Sequence, residues 1–198
     1  MNWLRPPGPI APGLRIGLLG GSFNPAHEGH LYVSEIALKR LGLDYVWWLV
    51  SPQNPLKPVS GMAPLEGRLA AARALAGRHP RLIVTDLERV LDTRYTINTL
   101  KALNRRFPQV RFVWLMGSDN LAQFHRWRRW EDIVALMPMA VVIRPGSVLA
   151  PLHAKAMQRF AHRMNLHQAP AIVPVDGRRN EASATAIRRA SGWTSTAE

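Results

Sequence analysis

The sequence predicts an α/β fold, with five or six strands in a parallel sheet and helices on both faces. Short apolar runs alternate with segments of helical periodicity along the 198 residues. This alternation is typical of parallel sheets, whose strands are joined by crossover helices. Because neither a linker nor a shift in composition divides the chain, we predict one domain over residues 13–198, after a flexible proline-rich leader at 1–12.

The strands are assigned to apolar, β-branched or aromatic runs that are bounded by turn-forming residues. They lie at 14–19, 45–50, 82–85, 110–115, 140–143 and 171–175. The helices are assigned to segments with apolar residues at helical spacing. They lie at 31–41, 64–76, 96–107, 130–136, 152–164 and 183–190. Ligands of such sheets bind outside the carboxyl ends of the strands, where the strand order reverses.

Composition limits the classes of function. The chain has no cysteine, which excludes disulfides, thiolate metal sites and cysteine nucleophiles and fits a cytoplasmic location. Its longest apolar runs are too short to cross a bilayer. The net charge of +13 is compatible with nucleic acid, an anionic membrane surface, a polyphosphate substrate or simply a basic surface, and composition does not choose among them.

The strongest local pattern joins the first predicted strand to the first helix. It reads Gly-Gly-Ser-Phe-Asn-Pro-Ala-His-Glu-Gly-His, from Gly20 to His30. Glycines allow close approach of the backbone to a ligand, and a helix start offers N–H groups to an anion. His27 and His30 share one face of the first helical turn, which suits a phosphate. A metal-binding histidine pair and a plain tight turn with two surface histidines are the alternatives.

Three other motifs do not fit this stretch. It lacks the Gly-Lys-Ser/Thr of a Walker loop, and Ser22 lacks the second glycine of a nucleophile elbow. Leu31 stands where the zinc-protease motif H-E-x-x-H would need its second histidine.

The stretch resembles the H-x-G-H signature of the nucleotidyltransferase superfamily, in the longer form of the bacterial nicotinate-nucleotide adenylyltransferase branch. The resemblance implies a Rossmann-like fold in which His27 and His30 bind the phosphates of ATP and stabilise the transition state. The implied ATP and phosphate site also includes Gly20, Gly21, Ser22 and Phe23. Asn24 is implied in the mononucleotide site.

Two basic segments carry a possible second phosphate contact. Lys57, in the proline-stiffened loop after the second strand, is either a solvated lysine or a phosphate ligand. The segment at 182–188 has hydroxyls and an arginine at a predicted helix start, which suits phosphate but also an ordinary capped helix. It resembles the family's I-S-x-T-x-I-R motif, with Ala182 in place of isoleucine. That resemblance implies phosphate binding by Ser183, Thr185 and Arg188.

The mononucleotide site is implied by two further segments. One is the Gly-Ser-Asp turn after the fourth strand with the aromatic residues that follow it, which resemble the family's G-x-D and F-x-x-W elements. This resemblance implies that Asp119 and Trp127 bind the nucleotide, with Arg128 beside them. Residues 94–100 resemble S-Y-T-x-x-T-L, with Arg94 where serine is usual. There Thr96 and the backbone N–H of Ile97 are expected to meet the nicotinate carboxylate. Helix capping is the structural alternative for both segments.

The resemblance implies that the chain makes nicotinate adenine dinucleotide and pyrophosphate from ATP and nicotinate mononucleotide. We expect Mg²⁺, held mainly by substrate phosphates and water, and no protein metal site, nucleic-acid partner or membrane partner. Other acceptors, such as nicotinamide mononucleotide or phosphopantetheine, stay open, as does a basic RNA-binding module. The sequence leaves the oligomeric state undetermined.

Overall fold

The computed structural model describes residues 5–53, 61–143, 154–160 and 165–177. Its strands are β1 (Arg15–Gly21), β2 (Tyr45–Val50), β3 (Leu82–Thr85), β4 (Arg111–Gly117), β5 (Met139–Val142) and β6 (Ile172–Val175). Its helices are α1 (Glu28–Arg40), α2 (Leu65–Ala76), α3 (Leu87–Val90), α4 (Thr96–Arg106), α5 (Ser118–Phe124), α6 (Trp130–Leu136) and α7 (Lys155–Phe160).

The strands form one sheet in the order β3-β2-β1-β4-β5-β6, and every neighbouring pair is parallel. The predicted α/β class and parallel sheet are therefore confirmed, with six strands. The order reverses between β1 and β4, so the carboxyl ends of these two strands flank the crevice in which such sheets bind ligands.

Helices cover both faces of the sheet, as predicted. On one face α1 and α2 bury apolar side chains such as Val33, Ala37 and Leu69. On the other face α4 and α5 bury Leu100 and Phe124. The side chains on the two faces of the sheet form separate apolar clusters, so residues at the sheet edge lie between two independently packed layers.

The main differences from the predicted elements lie where the site begins. β1 runs two residues further than predicted, because Gly20 and Gly21 pair with Leu49 and Val50 of β2. α1 begins at Glu28 rather than 31, because His27 caps it. The four-residue α3 was not predicted. Of the helix predicted at 152–164 the structure shows α7, and the helix predicted at 183–190 lies outside the described residues.

The described part of the segment expected to be a flexible leader packs against the domain. A Cβ at Gly8 would lie 3.1 Å from Cγ1 of Ile83 and 3.2 Å from Nε1 of Trp47. Gly13 N–H donates to the carbonyl of Gln109 at 2.9 Å. Gly8 therefore lies against side chains of β2 and β3, and Gly13 is bonded to the segment that precedes β4.

Candidate active site at the switch in strand order

The turn between β1 and α1 presents two histidines at the carboxyl end of the sheet. Phe23 has a positive φ of 48°, which bends the chain sharply after the strand. His27 is the N-cap of α1, and its Nδ1 accepts from Gly29 N–H at 3.1 Å. His27 N–H in turn donates to Nδ1 of His30 at 3.2 Å, which completes a capping box made of two imidazoles.

These contacts favour one tautomer for each ring. A neutral imidazole whose Nδ1 accepts a hydrogen bond carries its proton on Nε2. Nδ1 of His30 also lies 3.3 Å from the carbonyl of His27, but the contact with the N–H is shorter and completes the cap. Both rings are therefore suited to donate from Nε2 to a phosphate oxygen.

The rings are also held by packing. Their centroids lie 4.0 Å apart, and Phe23 stacks on His30 at 4.4 Å. Trp48 donates to the Ser34 hydroxyl at 2.8 Å, and that hydroxyl donates to the carbonyl of His30 at 2.8 Å. His27 is buried and His30 is partly exposed. This packing argues against the alternative of two loose surface histidines.

Gly20 has a packing reason to be glycine that the sequence did not indicate. It lies within β1, and a Cβ there would overlap the ring of Trp114 on β4. The missing side chain thus makes room for a tryptophan, and contact of the Gly20 backbone with a phosphate stays a prediction. The ring of Trp114 meets that of Trp127 edge to face, with 6.0 Å between their centroids. One buried indole thus contacts both the end of β1 and a residue that is predicted to bind the mononucleotide.

Apart from Asn24, the residues predicted to bind the mononucleotide come from the layer that contains α4, α5 and α6. Asp119 is exposed in the first turn of α5, directly after the end of β4. Trp127 is partly buried, with its ring 5.4 Å from that of Phe124. Trp130, which was predicted to lie in the core, is partly buried and packs against the core between Phe124 and Phe160.

The start of α4 lies beside this group. Arg128 places its guanidinium 4.7 Å from the ring centroid of Tyr95, the N-cap of α4. Thr96 is the first helical residue rather than the cap, which corrects the capping alternative for it. The Ile97 side chain is buried in the core, so only its backbone is placed to meet a ligand. The backbone hydrogen bonding of α4 begins with Asn98 N–H, which donates to Tyr95 O at 2.9 Å.

Asn24 is occupied by contacts within the protein. Its Nδ2 donates to Gly61 O at 2.9 Å, and its Oδ1 accepts from Ala63 N–H at 3.1 Å. These bonds join the histidine turn to the segment before α2, and contact with a mononucleotide stays a prediction. Four other predicted residues lie outside the described residues: Lys57, Ser183, Thr185 and Arg188.

Two buried charged residues near the site were not predicted from the sequence. Arg68 of α2 and Glu88 of α3 are 3% and 8% exposed. Burial raises the pKa of Glu88 to about 7, opposed by hydrogen bonds with Ser51 and Thr99. Burial also lowers the pKa of Arg68, opposed by the charge of Glu66. Their partners come from other elements, so no local sequence pattern marks either residue.

Neither a metal cluster nor a membrane-crossing helix is found in the described ranges. The residues at 5–53, 61–143, 154–160 and 165–177 contain no group of three or more histidines and carboxylates placed to hold an ion. Within the same ranges, every helix is too short or too polar to cross a bilayer.

The fold and the histidine turn together indicate a nucleotidyltransferase, and comparison with known proteins agrees. Residues 18–190 match the family described as cytidylyltransferase-like, and the chain belongs to this family.

Relatives narrow the assignment. A protein of Parvibaculum lavamentivorans is 53% identical over 93% of this chain and 96% of its own length, and one of Ruegeria pomeroyi is 48% identical over 92% and 89%. Both are named probable nicotinate-nucleotide adenylyltransferases. The chain thus falls within the nicotinate-nucleotide adenylyltransferase branch.

Solved structures share the fold. The Plasmodium falciparum nicotinic acid mononucleotide adenylyltransferase, solved in complexes with NaAD and with APC, superposes with a TM-score of 0.66 at 16% identity. The superposition covers 89% of this chain and 83% of that one. At this identity the likeness concerns architecture alone.

Proposed function

We propose that this chain transfers the adenylyl group of ATP to nicotinate mononucleotide, forming nicotinate adenine dinucleotide and releasing pyrophosphate in NAD biosynthesis. The observation that carries the proposal is the 53% identity to a nicotinate-nucleotide adenylyltransferase along 93% of the chain. The paired imidazoles at the switch in strand order supply a phosphate site of the kind that this reaction needs.

The reaction needs no protein base. The attacking group is a phosphate monoester, which is largely ionised at neutral pH because its second pKa is about 6. One of its oxygens bonds to the α-phosphorus of ATP while the bond from that phosphorus to the β-bridging oxygen breaks, and pyrophosphate leaves. The enzyme has to align two polyanions and stabilise the charge on the leaving group.

The residues of the chain divide these tasks. His27 and His30 donate from Nε2 to phosphate oxygens at the start of α1, where backbone N–H groups favour the same charge. Lys57, Ser183, Thr185 and Arg188 are proposed as further phosphate ligands. Asp119, Trp127 and the start of α4 at Thr96 and Ile97 are proposed to hold the mononucleotide, with Trp127 stacking on the pyridine ring.

Mg²⁺ is proposed as the metal of the reaction, to neutralise phosphate charge. Asp119 is one of the proposed mononucleotide ligands, and the described residues do not group three carboxylates or histidines. Phosphate oxygens and water would thus supply most of the ligands of the ion. For location we propose the cytoplasm, since a chain without cysteine suits a reducing compartment.

A pyrophosphate-release assay with ATP and a panel of acceptors tests the proposal. Nicotinate mononucleotide is expected to give the highest kcat/KM, above nicotinamide mononucleotide and phosphopantetheine. A higher value for either competitor would assign a different acceptor. RNA binding that weakens steeply with salt, without pyrophosphate release, would instead indicate the RNA-binding alternative.

A further inference from the structure

The guanidinium of Arg68 is buried against backbone carbonyls rather than against a carboxylate. Its Nη1 donates to Ser22 O at 2.6 Å and to Ser51 O at 2.7 Å. Its Nη2 donates to Pro52 O at 2.8 Å, and its Nε donates to Ala63 O at 2.8 Å. One side chain that is only 3% exposed thus donates four hydrogen bonds.

The four carbonyls belong to three separate segments around the site. Ser22 lies between β1 and the capping His27. Ser51 and Pro52 directly follow β2, and Ala63 immediately precedes α2. The ladder between β1 and β2 ends beside them, where Ser51 N–H donates to Gly21 O at 2.9 Å. Arg68 therefore binds the chain at the point where regular pairing stops and the histidine turn begins.

Asn24 makes a second connection between the same segments. Its amide bonds with Gly61 and Ala63, so the turn after β1 is joined to the segment before α2 at Ser22 through Arg68 and at Asn24 directly. The two sets of bonds fix the turn on both sides of Phe23, the residue with positive φ whose ring stacks on His30.

We propose that Arg68 is a positioning residue for the reaction: its guanidinium sets the place of the histidine turn relative to the end of β2. The proposal rests on the proposed function, in which this turn binds the phosphates of ATP. Arg68 acts through backbone carbonyls. A displacement of about 1 Å at a reacting site costs roughly a hundredfold in rate, so a small shift of the turn is enough to matter.

The chemistry of arginine suits this role. A guanidinium has five N–H donors in a fixed plane and stays protonated, so it reaches several carbonyls at once. An ammonium group has three donors on one atom and does not reproduce that spread. Arg68→Lys therefore keeps the positive charge and removes the geometry, while Arg73→Lys makes the same change at an exposed position near the end of α2.

The kinetic test compares these two variants with the unchanged chain. Arg68→Lys is expected to lower kcat by about tenfold to a hundredfold, since alignment of ATP is lost. The KM for nicotinate mononucleotide should change less than kcat, because Asp119, Trp127 and the start of α4 lie in the other layer. Arg73→Lys should match the unchanged chain. Loss of activity only in proportion to the unfolded fraction, seen by circular dichroism, would reduce Arg68 to a purely structural role and overturn the proposal.

Chemical rescue provides a second kinetic measurement. In Arg68→Ala, added guanidinium is expected to restore part of kcat, whereas sodium chloride at equal ionic strength should not. Equal effects of the two salts would contradict a role for the guanidinium group.

Amide hydrogen exchange separates this proposal from the function itself. In Arg68→Lys, the N–H groups of Gly29 and Ala63, which bond to His27 and Asn24, should exchange faster, while those in β4 should not change. Unchanged exchange at Gly29 and Ala63 would overturn the positioning role even in an active enzyme. If the unchanged chain releases no pyrophosphate with nicotinate mononucleotide, the proposed function fails, and exchange alone decides the role of Arg68.

Discussion

The two histidines of the turn each use Nδ1 for the backbone cap of α1, so the proposed contact with phosphate is assigned to Nε2. The sequence motif predicts that both residues contact phosphate, but it does not indicate which ring nitrogen does so. The structure supplies this because the capping box requires an acceptor at Nδ1 of each ring. A side-chain change at either position therefore removes a proposed phosphate donor and a capping contact of α1 together.

Replacing His30 with alanine is expected to lower kcat by about a hundredfold to a thousandfold, the usual cost of losing one preorganised donor to a transition state. The lost capping contact should cost only about 1 kcal/mol of unfolding free energy. Pyrophosphate release and thermal unfolding measure the two effects. His167→Ala, at an exposed position, is the control. Near-normal turnover in His30→Ala would contradict the assigned role.

Replacing Trp127 with alanine is expected to raise the KM for nicotinate mononucleotide by roughly tenfold to a hundredfold, because stacking of a base on an aromatic ring contributes about 1–3 kcal/mol. The affinity for ATP should persist, as shown by titration with ATP alone. Trp130→Ala removes a similar ring that packs against Phe124 and Phe160. An equal rise in KM for both variants would mean that only packing was lost.

Among the elements, α3 connects the sheet to the start of α4 through the buried Glu88. Thr99 of α4 donates to Oε1 of Glu88 at 3.4 Å and contacts the Thr93 hydroxyl at 2.8 Å. The carboxyl group also bonds with Ser51 at the end of β2. One ionisable group thus joins the end of a strand to the helix whose first turn is proposed to bind the nicotinate carboxylate.

The raised pKa of Glu88 predicts a pH dependence of stability. The carboxyl titrates near pH 7 in the folded chain and at 4.5 in the unfolded chain, so between these values the folded chain retains a proton that the unfolded chain releases. Its contribution to stability is therefore full below pH 4.5, falls as the pH rises to 7, and stays constant above that.

Urea unfolding of Glu88→Gln tests this, because the amide does not titrate. The free energy of unfolding of the variant, relative to the unchanged chain, should rise between pH 4.5 and 7 and then level off. Glu35→Gln, on the exposed face of α1, should show no such trend. Parallel pH profiles for Glu88→Gln and the unchanged chain would contradict the raised pKa.

Elements with strong local signals could be predicted from the sequence, and those that depend on distant partners could not. β2, β3 and α6 have the predicted bounds, because their apolar runs end at clear turn residues. α3 has four residues, too few for helical periodicity to appear. Arg68 and Glu88 escaped prediction because nothing in the sequence near them indicates carbonyls and hydroxyls that only the folded sheet edge brings together. The histidine motif was predictable because its chemistry lies within eleven consecutive residues.

The net charge of +13 belongs to the complete chain and should act on the approach of both substrates, which are polyanions. Attraction between exposed charges is screened beyond about 10 Å at 0.1 M salt. We therefore expect kcat/KM for ATP to fall as potassium chloride is added at fixed Mg²⁺, with kcat nearly unchanged. Steady-state kinetics across a salt series measures this. A fall in kcat of the same size would mean that salt acts on the bound complex rather than on the association of the substrate with the enzyme.

The separation of the two helical layers has a consequence for how the family diversifies. The imidazoles come from the layer of α1 and α2, whereas Trp127, Asp119 and the start of α4 come from the opposite layer. Most of the residues proposed to bind the acceptor therefore lie on the opposite face of the sheet from the proposed histidine ligands of the triphosphate. Exchanging α4 and the α5–α6 segment between homologues should therefore change the preferred acceptor and leave the proposed ATP site unaltered.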